Sequence, residues 1–256
     1  MAAKQIILLI FTFAIHTSLA TDYCDSSLCG SSRTHIACNN SGAFASSCQN
    51  PADVQLTQAQ KDLIVRAHNE KRNQVAGGET ALESACRMAT MQWDEELATL
   101  AALNVKQCEM KHDACHNTDA FKYSGQNLAW ISFYNSPNAS KLSQQSVDMW
   151  YNEIKDTKMA YINKYPNNYS GPTIGHFTVM VADKNIRVGC AASTFDVSGQ
   201  PYKGYLFACN YATTNMIDFP IYKGCSEAAS NCTTGRNPDF NNLCSASEEY
   251  DVNKWF

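Results

Sequence analysis

Twelve cysteines in 256 residues constrain the fold of this chain more than any other feature of its sequence. The number is even, and no two cysteines form the Cys-x-x-Cys pair that is typical of structural zinc sites. Behind a secretory leader, an even set of cysteines predicts a disulfide framework and an oxidising, extracellular environment. Each native bridge stabilises a fold by roughly 2–4 kcal/mol, so this protein should resist unfolding outside cells.

A leader of this kind is predicted over residues 1–20. Lys4 is its only charged residue, an apolar run follows over residues 6–15, and Ser18 and Ala20 supply small residues before a cleavage point. The apolar run is shorter than the roughly 18 residues needed to cross a bilayer. We expect cleavage near Thr21 and a secreted chain without a membrane anchor; a buried N-terminal helix is the alternative.

Charge and length narrow the class of protein further. The formal net charge is −4, and the sequence contains no basic run. We therefore expect no binding to nucleic acid or to anionic membrane surfaces, because both need clustered lysine and arginine. Residues 21–256 are enough for one sizeable core or two small ones.

Four Asn-x-Ser/Thr triplets fit secretion, since this triplet accepts N-linked glycans in secreted proteins. The acceptor asparagines are Asn39, Asn138, Asn168 and Asn231. Such triplets also occur by chance, and Asn231 adjoins Cys232, whose disulfide would restrict access to it.

Helical patterns come first in the chain and strand patterns later. Thr57 and Gln60 form a capping box for a helix to Val75, Asp94 caps a second helix to Gln107, and a third begins at Ser143. Three β-branched or aromatic runs are predicted strands: HFTVMVAD (176–183), IRVGCAAS (186–193) and YLFACNYA (205–212). This order predicts an α+β domain built in layers.

Cysteine content divides the chain into four segments. We predict a signal peptide over 1–20, a cysteine-rich N-terminal arm over 21–52, a folded domain over 53–222 and a cysteine-rich C-terminal tail over 223–256.

Few residues in the sequence are candidates for catalysis or metal binding. His112 lies between two cysteines in CEMKHDACH, His176 follows Gly175, and Glu153 lies three residues after Trp150 on the third predicted helix. The residues alone do not establish that these groups meet.

The other candidates carry weaker predictions. His112 and His116 have a spacing that could bind metal on a helix, but Asp113 and Cys115 favour a disulfide-pinned turn. His68 is predicted to be a packing or capping residue. No Gly-x-Ser-x-Gly motif indicates a serine nucleophile, and no catalytic triad assembles.

Several segments, in order, resemble the CAP superfamily, and the four N-terminal cysteines with Cys108 and Cys115 are similar to its insect antigen 5 branch. The matching segments are HNEKRNQVAGG (68–78), SGQNLAW (124–130), MWYNE (149–153), GHFTVMVADKNIRVGCAAS (175–193) and YLFACNYATTNMIDFPIY (205–222).

The resemblance implies a three-layer α-β-α sandwich around a cleft that two histidines and two acidic residues line. The histidines correspond to His112 and His176 and one acid to Glu153, whereas the second acid corresponds to Gln126, which cannot ionise. Two imidazoles can hold zinc or copper, with water completing the coordination. The resemblance thus leaves two interpretations, a weak, reversible metal site or a hydrogen-bonded polar cluster; no cofactor is required.

The antigen 5 pattern also implies four disulfides, Cys24–Cys38, Cys29–Cys115, Cys48–Cys108 and Cys190–Cys209. For the four cysteines outside that pattern, we predict that Cys225–Cys232 closes a short loop and that Cys86–Cys244 pins the tail to the helical layer.

For function, the resemblance implies a secreted, non-enzymatic protein that binds a lipid, sterol or lipid mediator, or an extracellular protein partner. One alternative is a copper- or zinc-dependent antioxidant enzyme that uses His112 and His176. Another is a receptor or immunoglobulin ligand that acts through surface loops, although the loop with Arg33, Thr34 and His35 lacks the acid that an integrin metal ion would need.

Overall fold

A computed structural model describes residues 21–255, so the predicted signal peptide lies outside the described residues. None of the helices in this range combines the length and the apolar character that crossing a bilayer requires.

Helices and strands are interspersed along the described residues. The helices are α1 (Ser26–Cys29), α2 (Gln58–Ala76), α3 (Glu95–Val105), α4 (Ala139–Tyr151), α5 (Met159–Asn163) and α6 (Gly175–Val181), with a 3-10 turn at Asn152–Asp156. The strands are β1 (Gln49–Val54), β2 (Ser84–Ala85), β3 (Gln92–Trp93), β4 (Gly125–Phe133), β5 (Arg187–Asp196), β6 (Lys203–Tyr211) and β7 (Gly224–Cys225).

One sheet forms the centre of the domain. Its strand order is β1-β5-β6-β4, all antiparallel, and β3 adds a short parallel pairing to β5. The sheet continues into the N-terminal arm, because β1 spans the boundary that we predicted between residues 52 and 53. Cys190 and Cys209 face each other across β5 and β6 in the same register and form a disulfide.

Alternate residues of β6 face opposite layers of helices. Tyr205, Phe207, Cys209 and Tyr211 belong to the core that includes residues of α2, α4 and α6. Leu206 and Ala208 pack in a second core with Ala101 and Val105 of α3. Because successive side chains of a strand point to opposite faces, this pattern places helices on both sides of the sheet. The predicted α-β-α sandwich is confirmed.

The predicted helix starts are right for α2 and α3 and wrong for α4. Thr57 and Gln60 form the capping box of α2, and the Asp94 side chain accepts a hydrogen bond from the Leu97 amide at the start of α3. Helix α4 begins earlier than Ser143, because Asn138 caps it by accepting a hydrogen bond from the Lys141 amide. Ser143 lies inside the helix and is buried.

The segment HFTVMVAD, predicted as a strand, instead forms most of α6. Its residues Phe177 to Val181 are all buried, and the helix packs against α2, α4 and β4. A short apolar run that is buried all round carries no period that separates a helix from a strand. The other two predicted strands correspond to β5 and β6 and are confirmed.

The structure contains the four disulfides that the resemblance implies. The pairings Cys225–Cys232 and Cys86–Cys244 are wrong: the bridges are Cys86–Cys225 and Cys232–Cys244. The reason is the two-stranded sheet of β2 and β7, which aligns Ser84 with Cys225 and so brings Cys86 beside Cys225. The tail then closes on itself through Cys232 and Cys244.

Candidate functional site

The cleft between β4, α6 and the loop that carries His112 is a cavity of about 250 Å³. Both histidines that the sequence predicted, His112 and His176, line it together with Gln126. The fourth predicted residue, Glu153, lies behind His176 rather than in the lining. Other lining residues are Asn127, Thr173, Gly175, Val179, Thr214 and Asn215.

Glu153 anchors His176 from the 3-10 turn that follows α4. Glu153 Oε1 lies 2.6 Å from His176 Nδ1, and Glu153 Oε2 accepts a hydrogen bond of 3.0 Å from the Phe177 amide. Because a carboxylate only accepts, the proton of a neutral His176 lies on Nδ1. The Nε2 atom then carries a lone pair, which is the form of imidazole that binds metal ions.

Aromatic packing fixes the plane of the His176 ring. The Trp150 indole stacks on it, with ring centroids 6.4 Å apart and planes 18° apart. Trp150 Nε1 donates to the Leu128 carbonyl, and Asn127 Nδ2 donates to the His176 carbonyl, so both partners are tied to β4. The ring therefore has little freedom to turn away.

His112 is held through Gln126. Its Nδ1 lies 2.8 Å from Gln126 Oε1, while Gln126 Nε2 donates to Asp113 Oδ2 at 2.7 Å and to Asn210 Oδ1 at 2.9 Å. Asn210 Nδ2 donates to the Leu97 carbonyl, which fixes the Asn210 amide with its oxygen toward Gln126. A carbonyl oxygen only accepts, so His112 Nδ1 is the donor.

Asp113 is the residue of the cleft's hydrogen-bond network that sequence reasoning missed. Its side chain is only 4% exposed, and it accepts hydrogen bonds from His116, Asn104 and Gln126. Burial alone would raise the pKa of Asp113, but the hydrogen bond and charge of His116 and the two amide donors outweigh it and lower the pKa to about 2. Asp113 is therefore a buried carboxylate one hydrogen bond behind Gln126. In the sequence, the position of Asp113 directly after His112 was the observation that could have pointed to its place in the cleft network.

The His112–His116 pair predicted as an alternative metal site does not form one. His116 is buried and directs Nδ1 to Asp113 and Nε2 to the Gly125 carbonyl at 3.2 Å, so both ring nitrogens are engaged. The predicted disulfide-pinned turn is confirmed by the Cys29–Cys115 bridge.

His68 is buried below the cleft, as predicted for a packing residue. Its Nδ1 donates to the Ile64 carbonyl, and its Nε2 accepts from the Tyr211 hydroxyl at 3.0 Å. Desolvation lowers the pKa of His68 to about 4, so this imidazole is neutral at physiological pH.

As a metal site the cleft offers two imidazoles. In residues 21–255, no cluster of three or more His, Cys, Asp or Glu side chains is arranged to hold an ion. Neither His112 Nε2 nor His176 Nε2 has a hydrogen-bond partner within that range. Such a donor set fits a loosely held zinc or copper ion whose other ligands are water.

Three larger cavities lie outside the cleft, of which the one of about 590 Å³ is lined by residues 155–161 and 166–172. One of about 780 Å³ lies between residues 34–41 of the arm and residues 107–114, and it shares His112 with the cleft. Another of about 560 Å³ lies along α2 and α4; its lining residues are Leu63, Asn138, Ser140, Lys141, Gln144, Gln145 and Asp148. Six of the seven residues that line the cavity along α2 and α4 have polar or charged side chains.

Comparison with known proteins agrees with this architecture. The profile of the CAP family, described as the cysteine-rich secretory protein family, matches residues 65–211, more than half of the chain. Venom allergen-1 of Aedes aegypti is 41% identical over 252 residues, which cover 97% of each chain. Antigen 5 like allergen Cul n 1 of Culicoides nubeculosus is 38% identical over 198 residues, which cover 73% of this chain and 90% of that one.

The fold is also similar to that in the crystal structure of NaASP2 with Zn²⁺, with a TM-score of 0.63 and 24% identity over 74% of this chain and 97% of that one. The family profile includes most of the cleft and strands β3 to β6, and Venom allergen-1 matches nearly the whole chain. The chain therefore belongs to the cysteine-rich secretory protein (CAP) family.

Proposed function

We propose that this chain is a secreted, non-enzymatic CAP protein that acts by binding an extracellular protein partner. The observation that carries the proposal is the state of the acidic groups at the cleft. Both oxygens of Glu153 and both oxygens of Asp113 accept hydrogen bonds from the protein, and Gln126 is neutral. A general base needs a free acceptor within reach of its substrate. The cleft groups support binding better than proton transfer.

The types of residue that line two of the larger cavities support a protein partner better than a lipid. The cavity of about 560 Å³ along α2 and α4 has Leu63 as its one apolar lining residue, whereas lipid pockets are lined mostly by apolar side chains. The cavity of about 780 Å³ combines the arm with residues 107–114 and presents polar groups such as Asn40 and Lys111. A polar, disulfide-supported concavity suits a loop or extended segment of another protein.

Secretion is part of the proposal, with glycans at Asn39, Asn138, Asn168 and Asn231. All four side chains are exposed. Asn138 caps α4 with its oxygen, which leaves its nitrogen as the atom that would carry a glycan.

The test combines ligand identification with two matched variants of the purified, secreted protein. Organic extraction followed by mass spectrometry should yield no stoichiometric sterol, fatty acid or lipid mediator. Pull-down from plasma should capture a defined protein, and Lys111→Glu should weaken its binding at least tenfold. Leu63→Arg, on the other cavity, should leave that binding unchanged. A stoichiometric lipid that is lost in Leu63→Arg, with Lys111→Glu behaving as wild type, would replace the protein partner with a lipid.

A second candidate function is supported by one specific observation, the two unpartnered Nε2 atoms in a single cavity. His112 and His176 would hold zinc or copper, and a bound copper ion would supply redox chemistry for superoxide removal. The protein's own groups orient the imidazoles, through Glu153 on one side and Gln126 on the other.

This candidate is tested by measuring superoxide removal with and without added copper, in wild type and in the His112→Ala/His176→Ala double variant. Copper-dependent activity that the double variant loses would support it. Activity that the double variant retains would dismiss the cleft as its source.

A further inference from the structure

We infer that Asp113 is a positioning residue that takes over, through Gln126, the role of the acid that CAP clefts carry at position 126. The inference deepens the second candidate function, metal binding at the cleft, and rests on it. It concerns how His112 is aligned, which the metal-free protein also reveals.

The argument begins with the orientation of the Gln126 amide. An amide has a donor end and an acceptor end, and either end could face His112. Gln126 Nε2 donates to Asp113 Oδ2 at 2.7 Å and to Asn210 Oδ1 at 2.9 Å. Both hydrogens of the amide nitrogen are therefore used on the side away from His112, and the oxygen must face the imidazole.

This orientation selects one tautomer of His112. Gln126 Oε1 lies 2.8 Å from His112 Nδ1, so the proton of the neutral ring lies on Nδ1 and the lone pair on Nε2. A glutamate at position 126 would give the same result without any orienting partner, because both of its oxygens accept. A glutamine needs neighbours that accept from its nitrogen, and Asp113 and Asn210 are those neighbours. Asp113 is the charged acceptor and makes the shorter hydrogen bond, 2.7 Å against 2.9 Å.

Asp113 is built into the fold rather than exposed to solvent. Its side chain is 4% exposed, against 10% for the His116 side chain with which it is paired at 2.7 Å. Asn104 Nδ2 donates to the same oxygen that Gln126 uses, at 2.9 Å. These contacts hold the carboxylate still, so it can define the Gln126 orientation in turn.

The two cleft histidines are thus oriented in the same way, although different residues orient them. Glu153 fixes the Nδ1 proton of His176 directly, and Asp113 fixes that of His112 through one intervening amide. Groups that orient a ligating histidine typically change metal affinity 10- to 100-fold when they are removed.

The experiment compares Asp113→Asn with the wild type and with Asp62→Asn, a control on an exposed face of α2. Tautomers of His112 are read from two-bond ¹⁵N–¹H correlations in the metal-free, histidine-labelled protein at pH 8. Zinc affinity is read by calorimetry. We expect the Nδ1–H tautomer in wild type and control, and a mixture of tautomers with at least tenfold weaker zinc binding in Asp113→Asn. The double variant Asp113→Asn/Gln126→Glu should recover the tautomer and part of the affinity, which a loss of packing alone would not allow.

The positioning role of Asp113 and the metal function of the cleft can be disproved separately. A folded Asp113→Asn protein that keeps the wild-type tautomer and zinc affinity overturns the positioning role. If wild type binds no zinc while Asp113→Asn still mixes the tautomers, the positioning role stands and the metal function fails. Should Asp113→Asn not fold, Gln126→Met removes the acceptor and retains Asp113; an unchanged His112 tautomer there would equally overturn the inference.

Discussion

Glu153 lies 2.6 Å from His176 Nδ1 with one oxygen and 3.0 Å from the Phe177 amide with the other. A single carboxylate therefore orients the cleft imidazole and caps a backbone amide in the first turn of α6. Its side chain is only 15% exposed, so both hydrogen bonds form where water competes weakly. The geometry of the cleft and the stability of α6 depend on the same residue.

The first prediction follows from this double role. Glu153→Ala should lower the free energy of unfolding by about 1–3 kcal/mol, because it leaves the Phe177 amide without its acceptor. Urea denaturation at pH 7 provides the measurement. Glu70→Ala is the matched control: Glu70 forms an exposed ion pair with Arg66, and its loss should cost at most about 0.5 kcal/mol. Equal effects of the two substitutions would contradict the double role.

Sequence reasoning found the cleft because its residues lie in recognisable segments. His112, His176, Glu153 and Gln126 were placed by resemblance, and the structure brings three of them to one cavity, with Glu153 directly behind. Asp113 was interpreted only as part of a turn, because its contact with Gln126 joins residues 13 positions apart on different elements. Side-chain networks of this kind have no local sequence pattern.

The wrong predictions of secondary structure and disulfide pairing also have local causes. α6 was predicted as a strand because Val179 and Val181 are β-branched, whereas burial on all sides removes the period that would have identified the helix. The two tail disulfides were predicted wrongly because β2 and β7 are two residues long each. Strands this short leave no alternation to detect, and they decide which cysteine Cys86 meets.

The second prediction concerns pH and His68. The unfolded histidine gains a proton near pH 6.5, whereas the folded, buried one does so only near pH 4. Between these values the unfolded state binds more protons, so stability falls as the pH is lowered, by about 3 kcal/mol in total from this group. His68→Gln keeps an acceptor for the Tyr211 hydroxyl and removes the titration.

The check is the free energy of unfolding of wild type and His68→Gln at intervals between pH 7 and pH 4. The variant should be less stable at pH 7, and the difference should shrink as the pH falls. Gln145→Ala, an exposed control without a titratable group, should leave the slope unchanged. A constant difference between wild type and His68→Gln over this range would show that His68 does not titrate with unfolding.

The third prediction ranks the two corrected disulfides. The Cys86–Cys225 bridge joins residues 139 apart, and Cys232–Cys244 joins residues 12 apart. A longer loop loses more entropy on closure, so removing the first bridge should cost roughly 5 kcal/mol and removing the second roughly 3 kcal/mol. Paired Cys→Ser variants measured by thermal unfolding give the ranking. Non-reducing peptide mapping tests the pairings themselves, and a peptide that links Cys86 to Cys244 would contradict them.

The last prediction concerns Glu248, which locks the C-terminal tail. Its side chain is 1% exposed, and it accepts hydrogen bonds from the amides and hydroxyls of Thr233 and Thr234 and from Arg87 Nε at 2.6 Å. Burial would raise the pKa of Glu248, but these donors outweigh it and lower the pKa to about 2. A depressed carboxyl pKa contributes stability above its unfolded value near 4.5, and that stability is lost as the pH falls toward 2.

Glu248→Gln should therefore destabilise the protein by about 2–3 kcal/mol at pH 7 and by much less near pH 2, because it replaces a charged acceptor with a neutral amide. Limited proteolysis at pH 7 should cut the tail of the variant faster than that of wild type. Glu249→Gln is the control, since this neighbouring side chain is exposed and should change neither result. Wild-type resistance of the Glu248→Gln tail to protease would mean that the Cys232–Cys244 bridge, rather than the carboxylate, holds the tail in place.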